Sequence, residues 1–262
     1  MQEIILKNNQ SPHFTLISYP DGQHSVKLSM DKLNVKEPVS IKCRIRYFSE
    51  LEVLFCLVNA LRKNDFYVAS IKFVYLFGMR SDRAFEIGEP NYFRDVIAPV
   101  IKNLRGIYCI KKVYVLGPHN PHQLNFINAK MIEQPIYKKD QVFIGGDESV
   151  TNWCSELDGY FIKERLGDRI KVDLVHLDSV MRTDDDYKEI IVIDDLCDGG
   201  ATFIREGEYL KQRYPKAKLK LFVIHGLFTQ GMHSLLSYYD QIICTNSYQD
   251  IDHPQVTQIK VI

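Results

Sequence analysis

Five apolar runs in this chain end in the same way. KFVYLF runs into GMRSDR, VYVL into GPHNPH, VFI into GGDES, IIVI into DDLCDGGAT and LFVI into HGLFTQG. The runs are short, and most are rich in β-branched or aromatic residues, which marks them as strands. They are apolar on consecutive residues rather than on alternate ones. Such strands are covered on both faces, as in a parallel sheet flanked by helices. Helical spacing lies between them. SELEVLFCLVNALRKND has apolar residues at 51, 54, 55, 58 and 61, with Ser49 as the expected N-cap. Residues 91–105 read as helical despite Pro99, as do 149–166 and ATFIREGEYLKQRYPK; SLLSYY reads as a short helix. EIIL and the two halves of FTLISYPDGQHSVKLS, around a Pro-Asp-Gly turn, read as strands, as do KVDLVHLD and QIICTNSY. The expected fold class is α/β, built of mainly parallel sheets flanked by helices. In such sheets ligands bind beyond the strand carboxyl ends, where this chain places its unusual polar residues.

The chain has 262 residues, room for one large domain or two ordinary ones. The polar, proline-bearing stretch EQPIYKKD is the expected boundary, giving domains 1–133 and 134–262. With 45% hydrophobic and 25% charged residues, the chain can bury a real core. Its formal net charge of zero argues against a duplex-binding surface, and no nucleic-acid partner is expected. No apolar stretch approaches the ~18 residues of a membrane span, and MQEIILKNNQ is no signal peptide. The six cysteines contain no C-x-x-C pair and fall mostly in apolar runs, so buried free thiols in a cytoplasmic protein are expected.

IIVIDDLCDGGATF carries the most chemistry. Small residues after a strand and before a helix let backbone N–H groups approach an anion, and the helix N-terminus adds partial positive charge. Thr202 offers a hydroxyl. Asp194 and Asp195 would repel a phosphate, so they suit ribose hydroxyls or a divalent cation bridging to phosphate. A vicinal diol plus a phosphate describes a ribose 5-phosphate unit. The plainer reading is a capped strand–helix turn.

This stretch resembles the phosphoribosyl-diphosphate binding motif of type I phosphoribosyltransferases. The rest of the chain resembles one group of that superfamily, the ribose-phosphate diphosphokinases, as a divergent, shortened member. YPDGQHSVKLS is similar to their F-S-D-G-E motif, and YLFGMRSDR to Y-F-G-Y-A-R-Q-D-R with one residue removed. VLGPHNPHQLNFI is similar to D-L-H-A-x-Q-I-Q-G-F-F, and IGGDESVT to S-P-D-x-G-G-V. VIHGLFTQG and IICTNS are similar to T-H-G-V-L-S-G and V-V-T-N-S. The order is kept over roughly residues 15–248.

The resemblance implies two phosphoribosyltransferase-like domains in pseudo-twofold relation, an ATP side followed by a ribose-phosphate side. It implies an enzyme of nucleotide or NAD-related metabolism that moves the β,γ-diphosphoryl group of ATP to C1 of ribose 5-phosphate, with Mg2+. Tyr19, Asp21, Gly22 and Gln23 match the ATP-binding hairpin, which in the family reaches a neighbouring subunit, so a homo-oligomer with an ATP site near the interface is implied. Arg80, Ser81 and Arg83 match the ATP-binding loop, where arginine forks suit a polyphosphate. His119 and Asp147 match the magnesium-linked positions. Asp194, Asp195, Asp198, Gly199, Gly200, Ala201 and Thr202 match the ribose-phosphate site.

Three departures matter. LDSVMRTDDDYKE stands where the family's catalytic loop begins D-K-R-R, so Ser179 replaces a lysine. Either Arg182 or Lys188 supplies the lost cation, or the chain is a catalytically silent regulatory subunit. Gly199 replaces a threonine that would donate to the 5-phosphate. That fits a substituted 5-phosphate such as ADP-ribose, or else backbone N–H groups compensate. Gln23 stands for a glutamate and Gly117 for an aspartate. A transferase that consumes a ribosyl diphosphate and a nucleobase is the other alternative.

Overall fold

The computed structural model describes residues 1–81, 83–84, 86–132, 141–166, 169–175 and 189–262. The chain divides into two compact units, Met1–Gln134 and Pro135–Val261. Each is an α/β unit with its own sheet and hydrophobic core.

The N-terminal unit contains β1 (Gln2–Leu6), β2 (Phe14–Ser18), β3 (His24–Leu28), β4 (Val39–Ile45), α1 (Phe48–Lys63) and β5 (Val68–Leu76). After these come α2 (Ala98–Tyr108), β6 (Lys112–Leu116), α3 (Leu124–Ile127) and β7 (Lys130–Ile132). The sheet order is β1-β4-β5-β6-β7, with every neighbouring pair parallel. β2 and β3 form a separate antiparallel hairpin.

Helix α1 starts two residues earlier than Ser49 predicts. Tyr47 is the N-cap and has no side-chain cap bond. Glu50 closes the helix start instead. Its carboxylate accepts the Arg46 backbone N–H and pairs with the Arg46 guanidinium at 2.7 Å, and its charge suits the positive helix end. Pro99 is tolerated because a π-helical turn, Phe93–Ile97, leads into α2, where the proline falls at a position that needs no N–H.

The C-terminal unit contains β8 (Val142–Gly145), β9 (Gly159–Leu166), β10 (Arg169–Val175), β11 (Glu189–Cys197) and α4 (Ala201–Arg213). β12 (Lys218–Gly226), α5 (His233–Leu236), β13 (Gln241–Thr245) and β14 (Val256–Ile259) follow. Its order is β10-β9-β8-β11-β12-β13-β14, parallel throughout except at the β9–β10 hairpin. The helix expected over 149–166 is not there. A 3-10 turn spans Glu148–Asn152, and the chain then enters the sheet as β9. Asp158 makes the difference. Its backbone N–H donates to Phe143 O at 2.8 Å and its carboxylate accepts from Phe143 N at 2.9 Å, which ties the chain to the β8 edge. Pairing with a strand overrides helical spacing here.

Four of the six cysteines are buried, as expected of thiols that fall mostly in apolar runs, while Cys109 is exposed and Cys56 half-buried. Burial pushes the Cys244 thiol up to about 11. Burial also raises Cys197, with the carboxylates of Asp194 and Asp198 adding to the effect. Only thiolates react, so a thiol reagent at pH 8 should label Cys109 rapidly in the native protein. Cys43, Cys154, Cys197 and Cys244 should follow only on unfolding, as peptide mapping of the labelled protein would show. Among the described residues, no helix is long and apolar enough to cross a membrane.

Candidate functional site

In the C-terminal unit, the matched residues gather at the carboxyl ends of the adjacent parallel strands β8, β11 and β12. The acidic pair lies within the last turn of pleat of β11 rather than after it. Asp194 and Asp195 are only 6% and 4% exposed, and the Asp195 N–H donates to Asp194 Oδ1 at 2.8 Å. Across the β8 end, Gly146 N donates to Ile193 O at 2.7 Å. A Cβ on Gly146 would stand 2.7 Å from Asp194 Oδ2. The second glycine of IGGD is therefore the seat of the Asp194 carboxylate. Asp147, next in line, caps the short helical turn and accepts the Ser149 N–H at 2.9 Å and the Ser149 hydroxyl.

The loop between β11 and α4 is built as a turn. Gly200 has φ +82°, the left-handed backbone that favours glycine, and a Cβ there would press on the Leu235 side chain at 3.1 Å. The loop after β12 is fastened to it. Cys197 O accepts from Leu227 N at 2.9 Å and Phe228 N at 3.2 Å, and Asp198 O accepts from Thr229 N at 3.1 Å. The Thr229 hydroxyl donates to Asp198 Oδ1 at 2.7 Å. Below, buried His225 Nδ1 lies 2.7 Å from Ser247 Oγ. Gln249 Nε2 donates to Gly226 O at 3.2 Å and Leu227 O at 2.9 Å. The result is a hydrogen-bonded cradle of small residues, with backbone N–H groups at the start of a 13-residue helix, carboxylates beside it, and a polar floor. Such a cradle can hold a phosphate while carboxylates accept from vicinal hydroxyls.

In the N-terminal unit, Tyr19 to Gln23 form the tip of the β2–β3 hairpin. Gly22 N donates to Tyr19 O at 3.0 Å, Tyr19 N to Gln23 O at 2.9 Å, and Gly22 has φ +89°. This is a type I turn closed by a left-handed glycine. Asp21 Oδ1 accepts the Gln23 N–H at 3.1 Å, and the Tyr19 ring is 46% exposed. The hairpin is held on α1 by Glu52, whose carboxylate accepts the His24 backbone N–H at 3.1 Å and lies 2.8 Å from the His24 ring. That ring hydrogen bond holds the Glu52 carboxyl below its ordinary range. A depressed carboxylate contributes stability above its unfolded value of about 4.3, lost as pH falls through the lower folded value. Glu52→Gln should therefore lower Tm at pH 7, and the gap from wild type should close near pH 3 in a thermal melt.

Arg80 and Arg83 are exposed on the loop after β5, with Ser81 N donating to Gly78 O at 2.9 Å. His119, half-buried, lies after β6, the neighbouring strand. Arg46, just after β4, pairs with Glu50 and stands beside the Tyr47 ring at 5.3 Å. Gly146, Thr229 and Gln230 were not singled out from the sequence. Arg182, Ser179 and Lys188 lie outside the described residues, as does Asp82 in the arginine loop.

No family model matches the chain. Its curated relatives include a protein of Pyrococcus furiosus, 24% identical over 87% of this chain and 84% of the relative. A Thermococcus kodakarensis protein is 26% identical over 87% of this chain and 83% of its own length. Both are named ribose-phosphate pyrophosphokinase. The chain is similar to ribose-phosphate pyrophosphokinases. The phosphoribosylpyrophosphate synthetase of Mycobacterium smegmatis matches the structure with a TM-score of 0.73, over 100% of this chain and 95% of that one. At 14% identity this likeness shows a shared fold, and it extends over both units described above.

Proposed function

We propose that the chain is an ATP-dependent diphosphokinase, a divergent, shortened member of the ribose-phosphate diphosphokinases. It would transfer the β,γ-diphosphoryl group of ATP to the C1 hydroxyl of a ribose 5-phosphate unit. The C1 oxygen attacks the β-phosphorus, the bond from that phosphorus to the α-phosphate oxygen breaks, and AMP leaves as the hydroxyl proton is lost. The observation that carries this reading is the anchored Asp198–Thr202 cradle beside the buried Asp194–Asp195 pair, in a chain similar to ribose-phosphate pyrophosphokinases over most of its length.

The N-terminal unit is the ATP side, with Tyr19 stacking on adenine and Asp21, Gly22 and Gln23 shaping the hairpin around it. Arg80, Ser81 and Arg83 receive the polyphosphate. The C-terminal unit is the sugar side. Asp194 and Asp195 accept from the ribose hydroxyls, and Asp198, Gly199, Gly200, Ala201 and Thr202 wrap the 5-phosphate. Diphosphoryl transfer needs little covalent help, mainly positioning and countercharge. Arg182 is assigned as a countercharge in place of the family's lysine.

Asp147 in the C-terminal unit and His119 in the N-terminal unit are each assigned as residues that would hold magnesium. Asp147, its carboxylate fixed by Ser149, is the oxygen donor this ion takes. Among the described residues, no three His, Cys, Asp or Glu side chains form a cage. An ion shared with phosphates needs only one or two carboxylates. When bound, it supplies neutralising charge across the β- and γ-phosphates.

The acceptor is ribose 5-phosphate or a 5-substituted form such as ADP-ribose. The glycine at 199, which removes one donor hydroxyl from the phosphate loop, supports the second form. We place the protein in the cytoplasm as a homo-oligomer with the ATP site near a subunit interface. Incubation with ATP, magnesium and both sugars together, followed by mass spectrometry, identifies which sugar gains a diphosphate. Consumption of a ribosyl diphosphate with a nucleobase, and no AMP from ATP, would replace this reading with a transferase.

A further inference from the structure

We propose that Gln230 is a sugar-phosphate-binding residue that takes the place of the side chain missing at Gly199. The inference rests on the diphosphokinase reading. A Cβ built on Gly199 would lie 3.3 Å from Gln230 Cγ and 4.0 Å from Thr229 Oγ1. The space a residue 199 side chain would enter is thus already lined by the loop after β12. HGLFTQG also has one residue more between its glycines than the T-H-G-V-L-S-G motif it resembles. One loop has lost a side chain, and the loop facing it has gained one.

The geometry aims Gln230 at the cradle. Thr229 is fastened to Asp198 twice, by its N–H at 3.1 Å and its hydroxyl at 2.7 Å. Gly231 N donates to Phe228 O at 2.8 Å, closing a turn with Gln230 at its corner. Phe228 has φ +48° and Gly231 φ +74°, the left-handed backbone of a tight turn, and the two bonds from Thr229 to Asp198 hold that turn against the cradle. Gln230 is exposed, and its amide makes no hydrogen bond with the described residues. A side chain held over a phosphate cradle with two unused N–H donors and one acceptor suits an anionic oxygen. Its longer stem reaches a phosphate from the side rather than from the cradle floor. That leaves the floor open for an oxygen carrying a substituent.

The test is calorimetric titration of the magnesium-loaded protein with ribose 5-phosphate, ADP-ribose and, separately, ATP. Gln230→Ala should weaken sugar-phosphate binding at least about tenfold, the low end for one hydrogen bond to a charged group, and leave ATP binding unmoved. Gln230→Glu should weaken it further, because a carboxylate then faces the phosphate. Gly199→Thr alone should bind poorly, because its Cβ meets Gln230. Gly199→Thr combined with Gln230→Ala should recover ribose 5-phosphate binding, since the threonine hydroxyl regains its place. Equal sugar binding by wild type and Gln230→Ala would overturn the role of Gln230 and leave the diphosphokinase reading standing. A double variant no better than Gln230→Ala would overturn the exchange between the two positions. A wild-type protein that binds neither sugar would overturn both this inference and the reading beneath it.

Discussion

Gly146→Ala should lower affinity for the sugar phosphate about 100-fold, equivalent to about 2.7 kcal/mol, while the protein stays folded. Gly146 does not have positive φ, so alanine fits its backbone and only space is at issue. The added Cβ would stand 2.7 Å from Asp194 Oδ2 and 3.2 Å from its Cγ. The backbone at 146 cannot retreat easily, being tied to Ile193 O at 2.7 Å. The carboxylate must therefore move. Asp194 is buried, so it has no solvent to swing into. Hydrogen bonds to charged groups are worth about 1.5–3 kcal/mol each, and in the proposed sugar site displacing this carboxylate would forfeit at least one to the ribose hydroxyls. Titration with ribose 5-phosphate, with circular dichroism as the control for folding, checks the result. Unchanged affinity in a folded Gly146→Ala protein would remove Asp194 from the sugar site.

The largest stability effect should come from Leu221→Ala, at about 3 kcal/mol. Leu221 is fully buried in β12, with Val192 on β11 and Ile242 on β13 as its register partners, and all three are 0% exposed. Truncation removes the transfer free energy of the lost atoms and leaves a cavity that flanking strands cannot close, since their backbones are fixed by the ladder. For a unit of this size, Tm should fall by roughly 10 °C. Leu221→Met, which keeps the volume, should cost less than about 1.5 kcal/mol. Calorimetric melting of the three proteins tests the ordering.

The sequence reading succeeded where an element's fate was decided by its own residues. The runs KFVYLF, VYVL, VFI, IIVI and LFVI became β5, β6, β8, β11 and β12 because continuous apolar residues demand cover on both faces. The turn at Pro20-Asp21-Gly22 and the glycine at 200 followed from local backbone chemistry. The run VSIKCRI was not among the predicted strands, although it forms β4, an interior strand between β1 and β5. Its buried polar residues have partners: Ser40 Oγ lies 2.8 Å from Ser70 Oγ, and Arg44 Nη1 reaches Asn8 Oδ1 at 3.5 Å. Those partners are 30 and 36 residues away, and no local pattern announces them. The helix expected over 149–166 failed for the same reason, since Asp158 finds its partner on β8. Within the site, the acidic pair and the small-residue loop were legible. What holds them was not: Gly146 under Asp194, Thr229 on Asp198 and Gln230 over Gly199 are all contacts between loops of different strands.

The central claim is diphosphoryl transfer, and phosphorus NMR of one reaction tests it most directly. Purified protein is mixed with ATP, magnesium and either ribose 5-phosphate or ADP-ribose. The account predicts AMP and a sugar bearing a new diphosphate on C1, formed in equal amounts. ADP as the product, or no AMP with either sugar while ATP still binds, would contradict it; the second result would leave a silent regulatory subunit in its place.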